Sequence, residues 1–453
     1  MNTHPHPHAV ILRLARLALP VIGLNVLNVL ALAVDTAMVA RLDAPEAALT
    51  GLGFGTQFLF ILMVLMIGLS VGSVAIVARA YGAGDLQRVN EQLAQSTLLT
   101  IILGLGAGFA GRALAPYYLD VVAAQGPARE AALTYLEPLL YGLVFNYLTI
   151  LLGSTLRGVG NTRLAFQVAL VSNLANFAFN GVLIFGRWGL PALGVQGAAL
   201  GTLLSQALGL ALILGALARG AVPGVRAPLR WVPIDPKAAA ALLRVGAPAA
   251  LDMVVLNAGF LSIVSLLGRI DPVAVAAHGI GLRIQALAFV PGMAISQATG
   301  ALVGNALGAG RPDEARAIAR ASVTLCVTVM TVIPLVLVLP SDAVLRLFDV
   351  DADSALGAHA TTWMRILGLC MPLAGVHVAL AGAFQGAGAT PLSLRQNMAS
   401  TLLVQIPTSA LLGLCTDLGA LGVWLGFPAG FILRSTLATL AFRGEGWLRV
   451  RVR

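Results

Sequence analysis

The sequence predicts an all-α membrane protein, with twelve transmembrane helices in two pseudo-symmetric lobes of six. Of its 453 residues, 58% are hydrophobic and only 10% are charged, values that no soluble globular class combines. The apolar residues run for roughly 20 to 25 positions at a time, whereas a transmembrane β-barrel alternates apolar and polar residues in short segments. An internal repeat supplies the third observation.

Each predicted span is an apolar run that ends at charged, glycine or proline residues. The first six spans are 14–40, 53–78, 92–115, 130–153, 163–186 and 193–218. The second six are 240–268, 277–303, 317–340, 358–383, 393–415 and 419–442. The predicted organisation is a cytoplasmic tail (1–13), an N-lobe (14–218), a cytoplasmic linker (219–239), a C-lobe (240–442) and a cytoplasmic basic tail (443–453).

The two halves of the chain resemble each other at an offset of 228 residues. Pro20 aligns with Pro248, and Asp43 aligns with Asp271. Because six spans are an even number, both lobes run through the membrane in the same direction, as a parallel repeat. Parallel repeats place a substrate site between the lobes, and duplicated twelve-span scaffolds are mostly transporters.

The positive charges indicate sidedness rather than a nucleic-acid surface. The net charge is +9, but the Lys and Arg residues are scattered between apolar spans instead of clustering on one face. With the N-terminus inside, the cytoplasmic segments hold 20 of the 28 Lys and Arg residues. The positive-inside rule therefore predicts a multi-pass protein of the inner (plasma) membrane with both termini in the cytoplasm. We expect a monomer in the lipid bilayer, with no nucleic-acid partner.

One carboxylate stands out as a candidate functional group. Asp35 lies in the otherwise uncharged run that follows Pro20. A charged side chain inside the membrane costs several kcal/mol and is a functional-site hypothesis by default. Burial disfavours the ionised form, so such a group can take up and release a proton near neutral pH. The alternative is a structural counter-ion for Arg41.

Amides in the fifth predicted span are the expected partners of this carboxylate. Asn173, Asn176 and Asn180 follow the i, i+3, i+7 pattern and form one stripe. Amides can hydrogen-bond both the charged and the neutral form of a carboxyl group. We therefore predict an ion-coupling site of Asp35, Asn176 and Asn180. The alternative for Asn173 and Asn176 is a structural role, in which the amides form hydrogen bonds between neighbouring helices.

The remaining candidates bend a helix or line a cavity. Pro20 removes a helix hydrogen bond and permits a bend between the cytoplasmic end of the first span and Asp35. Asp252 could take part in transport or pair with Arg244 or water. Thr202, on a polar face of the sixth span, could equally be a packing residue. The residues expected to line a substrate cavity are Asn28, Tyr141, Phe145, Tyr147, Asn173, Thr202 and Asp252.

Enzymatic and cofactor chemistry find little support in the sequence. His278, His359 and His377 are isolated from one another, and the glycine-rich turns fit no Walker pattern. The three cysteines, Cys326, Cys370 and Cys415, lie in or beside apolar runs without a nearby His partner. We therefore expect no enzyme, no cofactor and no metal centre, with an ion gradient as the energy source.

Several motifs, in order, resemble the multidrug and toxic compound extrusion (MATE) family. They are Val34-Asp35-Thr36 in the first span, SVAIVARAYGAGD after the second, LRGVGNTR after the fourth, NLANFAFN in the fifth, GVQGAALGTLLSQ in the sixth and FQGAGAT after the tenth. The resemblance covers the whole chain. It implies antiport of organic cations or amphipathic toxic compounds against H⁺ or Na⁺.

Within that family the chain is most similar to the DinF-like branch, whose coupling site lies in the N-lobe. The resemblance implies that Asp35 is the coupling-site carboxylate of the first span and that Asn176 is the coupling-site amide of the fifth span. Asn180 stands where a second carboxylate is common, which favours H⁺ over Na⁺ because one carboxylate makes a weaker Na⁺ cage. NorM-like members carry acids where Leu256 and Ala374 stand here. The alternatives are a Na⁺-coupled antiporter and a lipid-linked oligosaccharide flippase of the wider superfamily.

Overall fold

A computed structural model describes residues 7–229 and 232–450. Residues 1–6 and 451–453 of the predicted tails, and residues 230–231 of the predicted linker, lie outside the described residues. Within the described ranges the chain forms helices joined by short loops and contains no β-strand. The predicted all-α class is therefore confirmed.

Fifteen α-helices make up the described part of the chain. Those of the first half are α1 (Pro7–Val39), α2 (Pro45–Gly82), α3 (Leu86–Val121), α4 (Gly126–Tyr141), α5 (Leu143–Gly158), α6 (Thr162–Leu183) and α7 (Gly194–Ala218). Those of the second half are α8 (Pro236–Ile270), α9 (Pro272–Gly308), α10 (Pro312–Val338), α11 (Ser341–Arg346), α12 (Ala355–Gly386), α13 (Thr390–Ser400), α14 (Ile406–Leu414) and α15 (Ala420–Arg443). A π-helical turn (Thr401–Gln405) links α13 to α14, and a 3₁₀ turn (Gly446–Arg449) follows α15.

Ten of the described helices are long and apolar enough to cross a bilayer, and the pair α4 and α5 provides an eleventh candidate. The predicted fourth span is thus a broken one, bent by 58°. The break falls at Gly142, four residues after Pro138, which has no N–H to donate within the helix. A Cβ at Gly142 would lie 1.9 Å from Leu203 Cδ1, so a larger residue at this bend would require the Leu203 side chain to move.

The predicted eleventh span is also interrupted, because a π-helical turn divides it into α13 and α14. The N–H of Ile406 donates to the carbonyl of Thr401, five residues earlier. Pro407 follows and has no N–H to donate. Neither α13, with 11 residues, nor α14, with 9, would span a bilayer alone. Turns of this kind often mark functional sites.

The chain divides into two compact units. The N-unit is Gly23–Ala250, and the C-unit combines the described residues up to Ile22 with those from Leu251 onward. The division therefore falls inside α1 and inside α8, at two points 228 residues apart. It differs from the lobe ranges 14–218 and 240–442 expected from the sequence, because the first part of each of these two helices groups with residues of the other half.

The first part of α1 is firmly held in the C-unit. Leu14 and Ala18 are buried in an apolar cluster formed with α9, α10 and α12. Glu314 at the start of α10 accepts a salt bridge from Arg13 at 2.7 Å and another from Arg311 at 2.5 Å. This carboxylate has only 13% of its side chain exposed and forms an ion pair with each of the two arginines.

Close helix packing in the C-unit depends on glycine. A Cβ on Gly386 of α12 would lie 2.1 Å from the carbonyl oxygen of Gly300 on α9. A Cβ on Gly382 would lie 2.3 Å from the carbonyl oxygen of Ser296. Both neighbours are backbone atoms that cannot turn away. Small residues allow membrane helices to approach in this way.

We expect Gly386→Ala to destabilise the protein by about 1–3 kcal/mol, because the added methyl group forces α9 and α12 apart. The matched control is Gly279→Ala on α9, where a Cβ would meet nothing within 4 Å. Thermal unfolding of the detergent-solubilised protein, followed by circular dichroism, should show a lower apparent Tm for Gly386→Ala only. Equal Tm values for the two variants would contradict this account of the packing.

Candidate functional site

The candidate site lies in the N-unit, where the second part of α1 carries Asp35. α6 begins at Thr162, preceded by Asn161, whose side chain accepts a hydrogen bond from the N–H of Leu164 and so caps the helix. Beyond the cap, α6 places Asn176 and Asn180 one turn apart on the same face. These two amides and Asp35 are the side chains that the sequence singled out for ion coupling.

Four polar side chains from three helices form one hydrogen-bonded chain. Asn180 Nδ2 donates to Asp35 Oδ1 at 2.6 Å, and the same nitrogen donates to Asn176 Oδ1 at 3.4 Å. Asn176 Nδ2 in turn donates to Thr202 Oγ1 on α7 at 3.4 Å. The structure therefore connects the carboxylate on α1 to a hydroxyl on α7 through two amides of α6.

Burial makes the amide orientation at Asn180 consequential. Asn180 is fully buried, and Asn176 is 6% exposed, whereas Asp35 is only partly buried. Asn180 uses its nitrogen for both donated bonds, and its buried Oδ1 has no hydrogen-bond partner among the described residues. An unpaired buried acceptor costs roughly 1–3 kcal/mol. The site therefore holds an acceptor that a proton on Asp35 could satisfy.

Two further residues shape this site, and neither was singled out from the sequence. Gly201 on α7 packs directly against the Asn180 amide, since a Cβ there would lie 2.0 Å from Asn180 Oδ1. Tyr135 on α4 is 6% exposed and close enough to interact electrostatically with Asp35. The only sequence signal for Gly201 was the small-residue run that opens the sixth span. Tyr135 gave none, because it reads as an ordinary core aromatic.

The aromatic residues expected to line a cavity occupy different surroundings. Tyr147 is fully buried and donates from its hydroxyl to the carbonyl of Leu62 at 2.6 Å, so it packs inside the N-unit. Phe145 is 39% exposed. Tyr141 is 53% exposed, and Arg112 Cζ lies 4.8 Å from its ring centre. Arg112 and Glu137 help to line a pocket of about 300 Å³ that does not include Asp35.

The other candidates on α1 and α6 stand apart from the hydrogen-bonded chain. Asn28 is exposed, and Asn173 Nδ2 donates to the carbonyl of Ala169 within its own helix at 2.8 Å. The bond to Ala169 keeps the Asn173 side chain within α6, so it does not join Asp35, Asn180, Asn176 and Thr202.

The α1 helix runs from Pro7 to Val39 and continues through Pro20.

Asp252 lies in the C-unit, where its partner is an amide rather than Arg244. Asn397 Nδ2 on α13 donates to Asp252 Oδ1 at 2.5 Å. Asn397 lies in the predicted span 393–415 and was not among the predicted site residues. Asp252 therefore belongs to a separate polar cluster and not to the one around Asp35.

The side chains bonded around Asp35 are two neutral amides and a hydroxyl. Within residues 7–229 and 232–450, no group of three or more His, Cys, Asp or Glu side chains could hold a metal. The carboxylate of Asp35 instead faces an N–H donor, and the next groups along the chain are an amide and a hydroxyl. These neutral groups can support either protonation state of Asp35.

Comparison with known proteins places these features in a family. The family profile MatE matches residues 20–182 and 248–411, once in each half of the chain. A protein of Deinococcus radiodurans named "Probable multidrug resistance protein NorM" is 31% identical over 460 residues, covering 100% of this chain and 99% of its own. Another of that name, from Thermotoga maritima, is 29% identical and covers 96% and 92% of the two chains.

Solved structures agree on the fold. "Crystal structure of MATE in the bent conformation" superposes with a TM-score of 0.89 at 23% identity, covering 98% of this chain and 96% of that one. "Outward-facing conformation of a multidrug resistance MATE family transporter of the MOP superfamily" gives a TM-score of 0.88, also at 23% identity, with 99% and 98% covered. The expected two-lobed MATE fold is thereby confirmed, whereas the DinF-like branch stays a prediction.

We expect Gly201→Ala to disable the site while the protein still folds. The new methyl group would collide with Asn180 Oδ1 and push the amide away from Asp35. A matched control is Gly106→Ala on α3, where a Cβ would meet nothing within 4 Å. In proteoliposomes with an imposed pH gradient, transport of radiolabelled tetraphenylphosphonium should fall at least about tenfold for Gly201→Ala, the equivalent of about 1.4 kcal/mol. Equal transport by both variants would show that the close contact is dispensable.

Proposed function

This chain belongs to the MatE family, and we propose that it is a multidrug efflux antiporter that exports amphipathic organic cations in exchange for protons. Asp35 is the proposed proton carrier. The observation that carries the proposal is the 2.6 Å hydrogen bond from Asn180 Nδ2 to Asp35 Oδ1 inside the membrane-spanning part of the N-unit. The multidrug names of the relatives support the substrate class.

The amide explains how one site can hold Asp35 in two states. An ionised carboxylate only accepts hydrogen bonds, and the Asn180 nitrogen supplies a donor to it. A protonated carboxyl group must also donate, and the Asn180 oxygen, which lacks a partner among the described residues, can accept that bond. The change requires the amide to turn over, because its nitrogen now faces Asp35.

Turning this amide would disturb its neighbours. The Asn180 nitrogen also donates to Asn176, whose own nitrogen donates to Thr202. Reorientation of Asn180 therefore removes a donor from Asn176 and alters the contact between α6 and α7. In the proposed cycle, this rearrangement and a bend of α1 near Pro20 shrink the cavity of the N-unit and release the bound solute.

Protonation also changes the charge that a cationic solute encounters. Asp35 is the only acid in the hydrogen-bonded chain of Asp35, Asn180, Asn176 and Thr202, so its protonation makes that chain neutral. A cation held by the ionised carboxylate loses its counter-charge when the proton binds. Proton and substrate thus compete for the same group, which is the requirement for exchange.

The gradient of the plasma membrane is sufficient to drive such a cycle. Each pH unit across the membrane supplies about 1.4 kcal/mol per proton. A membrane potential of about 100 mV adds about 2.3 kcal/mol per elementary charge. The proposed orientation has both termini in the cytoplasm, supported by the 20 of 28 Lys and Arg residues in the inside segments.

A proton fits the site better than Na⁺ for a specific reason. Sodium is a hard cation that requires several oxygen ligands, whereas Asn180 directs its nitrogen at the carboxylate. The site also lacks the second carboxylate that would add negative charge. Coupling to Na⁺ is the second candidate, and separately imposed gradients distinguish the two.

The first test is Asp35→Asn, with Asp43→Asn in the exposed loop after α1 as the matched control. We expect Asp35→Asn to abolish tetraphenylphosphonium transport driven by a pH gradient, because the amide cannot exchange a proton. Asp43→Asn should transport as the wild type does. Proteoliposomes carrying ΔpH alone, or a sodium gradient alone, provide the measurement. Proton-driven transport by Asp35→Asn would refute the proposed role.

The second test is Asn180→Asp, which adds a carboxylate beside Asp35. Two acids at hydrogen-bond distance give the site more negative charge and more oxygen ligands, so we expect transport to acquire a dependence on Na⁺. Wild-type transport should respond to ΔpH and not to ΔpNa, while the variant should respond to both. If wild-type transport already follows ΔpNa, the proton assignment is wrong.

A further inference from the structure

The C-unit contains a carboxylate–amide pair with the same chemistry as that of Asp35 and Asn180. Asn397 Nδ2 donates to Asp252 Oδ1 at 2.5 Å, against 2.6 Å for the pair in the N-unit. Asn397 is 1% exposed, and its Oδ1, like that of Asn180, has no hydrogen-bond partner among the described residues. Each unit thus holds one partly buried acid on a long helix, bonded to one buried amide.

The two pairs are not equivalent positions of the repeat. At the offset of 228, Asp252 aligns with Leu24 and Asn397 aligns with Ala169. Asp252 therefore stands eleven residues earlier in its helix than Asp35 does, and Asn397 stands eleven residues earlier than Asn180. Both members have shifted together, so acid and amide are 145 residues apart in each unit.

A common shift of eleven residues preserves the pairing for a geometric reason. Eleven residues are close to three turns of an α-helix, so each side chain keeps its face and moves by about 16 Å along the helix. The helices that carry acid and amide occupy the first and fifth spans of each half, which run in the same direction. The C-unit pair is therefore the N-unit arrangement moved three turns towards the start of its helices.

The charged surroundings distinguish the second pair from the first. Arg434 on α15 is 7% exposed and interacts electrostatically with Asp252. Its Nε donates to Ser400 Oγ at 2.9 Å, and its Nη2 donates to Thr401 Oγ1 at 2.7 Å, at the π-helical turn. His377 on α12 is 7% exposed and also interacts with Arg434.

A metal ion needs several oxygen ligands, whereas Asn397 directs a nitrogen donor at Asp252. The guanidinium of Arg434 disfavours an added proton as well as a metal ion, because each brings positive charge into the pocket, but a proton needs no further ligands. Arg434 directs two of its N–H groups to hydroxyl oxygens, while the hydrogen bond to Asp252 comes from Asn397. The carboxylate is thus not fixed in a structural ion pair by these bonds.

We propose that Asp252 and Asn397 form a second proton-binding site, so that each unit carries one proton in the transport cycle. A proton adds to the Asp252 carboxylate to give the neutral acid, whose O–H donates to Asn397 Oδ1 once the amide has turned. Its release restores the carboxylate and the bond from Asn397 Nδ2. This inference rests on the proposed proton-coupled antiport and adds its stoichiometry, which neither Asp35 nor the family determines.

The test measures how many protons exchange for one tetraphenylphosphonium ion. In proteoliposomes with the membrane potential clamped at zero by valinomycin and equal potassium, the logarithm of the accumulation ratio rises with ΔpH, with a slope equal to that number. We expect Asp252→Asn to lower the slope from about two to about one. The control, Asp313→Asn, changes an acid whose side chain is 75% exposed and should keep the wild-type slope. A wild-type slope of about one, or an unchanged slope for Asp252→Asn, overturns the proposal.

A second measurement decides the matter if Asp252→Asn no longer transports. Infrared difference spectra of the purified full-length protein, recorded between alkaline and acidic pH, report the carbonyl band of each protonated carboxyl group. Asp252→Asn should lose one component of this band, and Asp35→Asn should lose another. Retention of the whole band in Asp252→Asn overturns the second site, whereas proton-driven transport by Asp35→Asn overturns the proposed function instead.

Discussion

A carboxylate in the membrane-spanning part of a protein is costly unless it is hydrogen-bonded, and this constraint applies to Asp35 in the N-unit. Asp35 accepts a hydrogen bond from the amide of Asn180, which is fully buried. Gly201 has no side chain and therefore leaves room for this amide between α6 and α7. Changes in packing at the glycine and changes in charge at the acid act on the same bond.

An amide is well suited to this task because its two ends have opposite hydrogen-bonding character. A second carboxylate at position 180 would hold a cation but would repel the ionised form of the first. Asn180 can serve as donor or acceptor with only a rotation of its side chain, so it can form a hydrogen bond with either the ionised or the neutral form of Asp35.

The sequence was sufficient to predict the class of fold and the pairing of Asp35 with Asn180. A lone acid in an apolar run is conspicuous, and the helical period places the amides of α6 on one face. Asn397 could not be predicted from equivalent positions of the two halves, because the residue that aligns with it in the first half is Ala169. Gly201 was missed because its effect depends on a contact between α6 and α7, and the break at Gly142 because it depends on Leu203 of another helix. Contacts of this kind require the assembled unit.

The sharing of α1 between the units has a consequence for biosynthesis. Leu14 and Ala18 are completed as core residues by α9, α10 and α12, which follow them by several hundred residues in the chain. The ribosome therefore delivers the beginning of the first helix long before its packing partners exist. The remainder of that helix groups with the N-unit and can pack much earlier. A nascent chain that stops after the first repeat therefore lacks the residues of α9, α10 and α12 against which the beginning of its first helix packs.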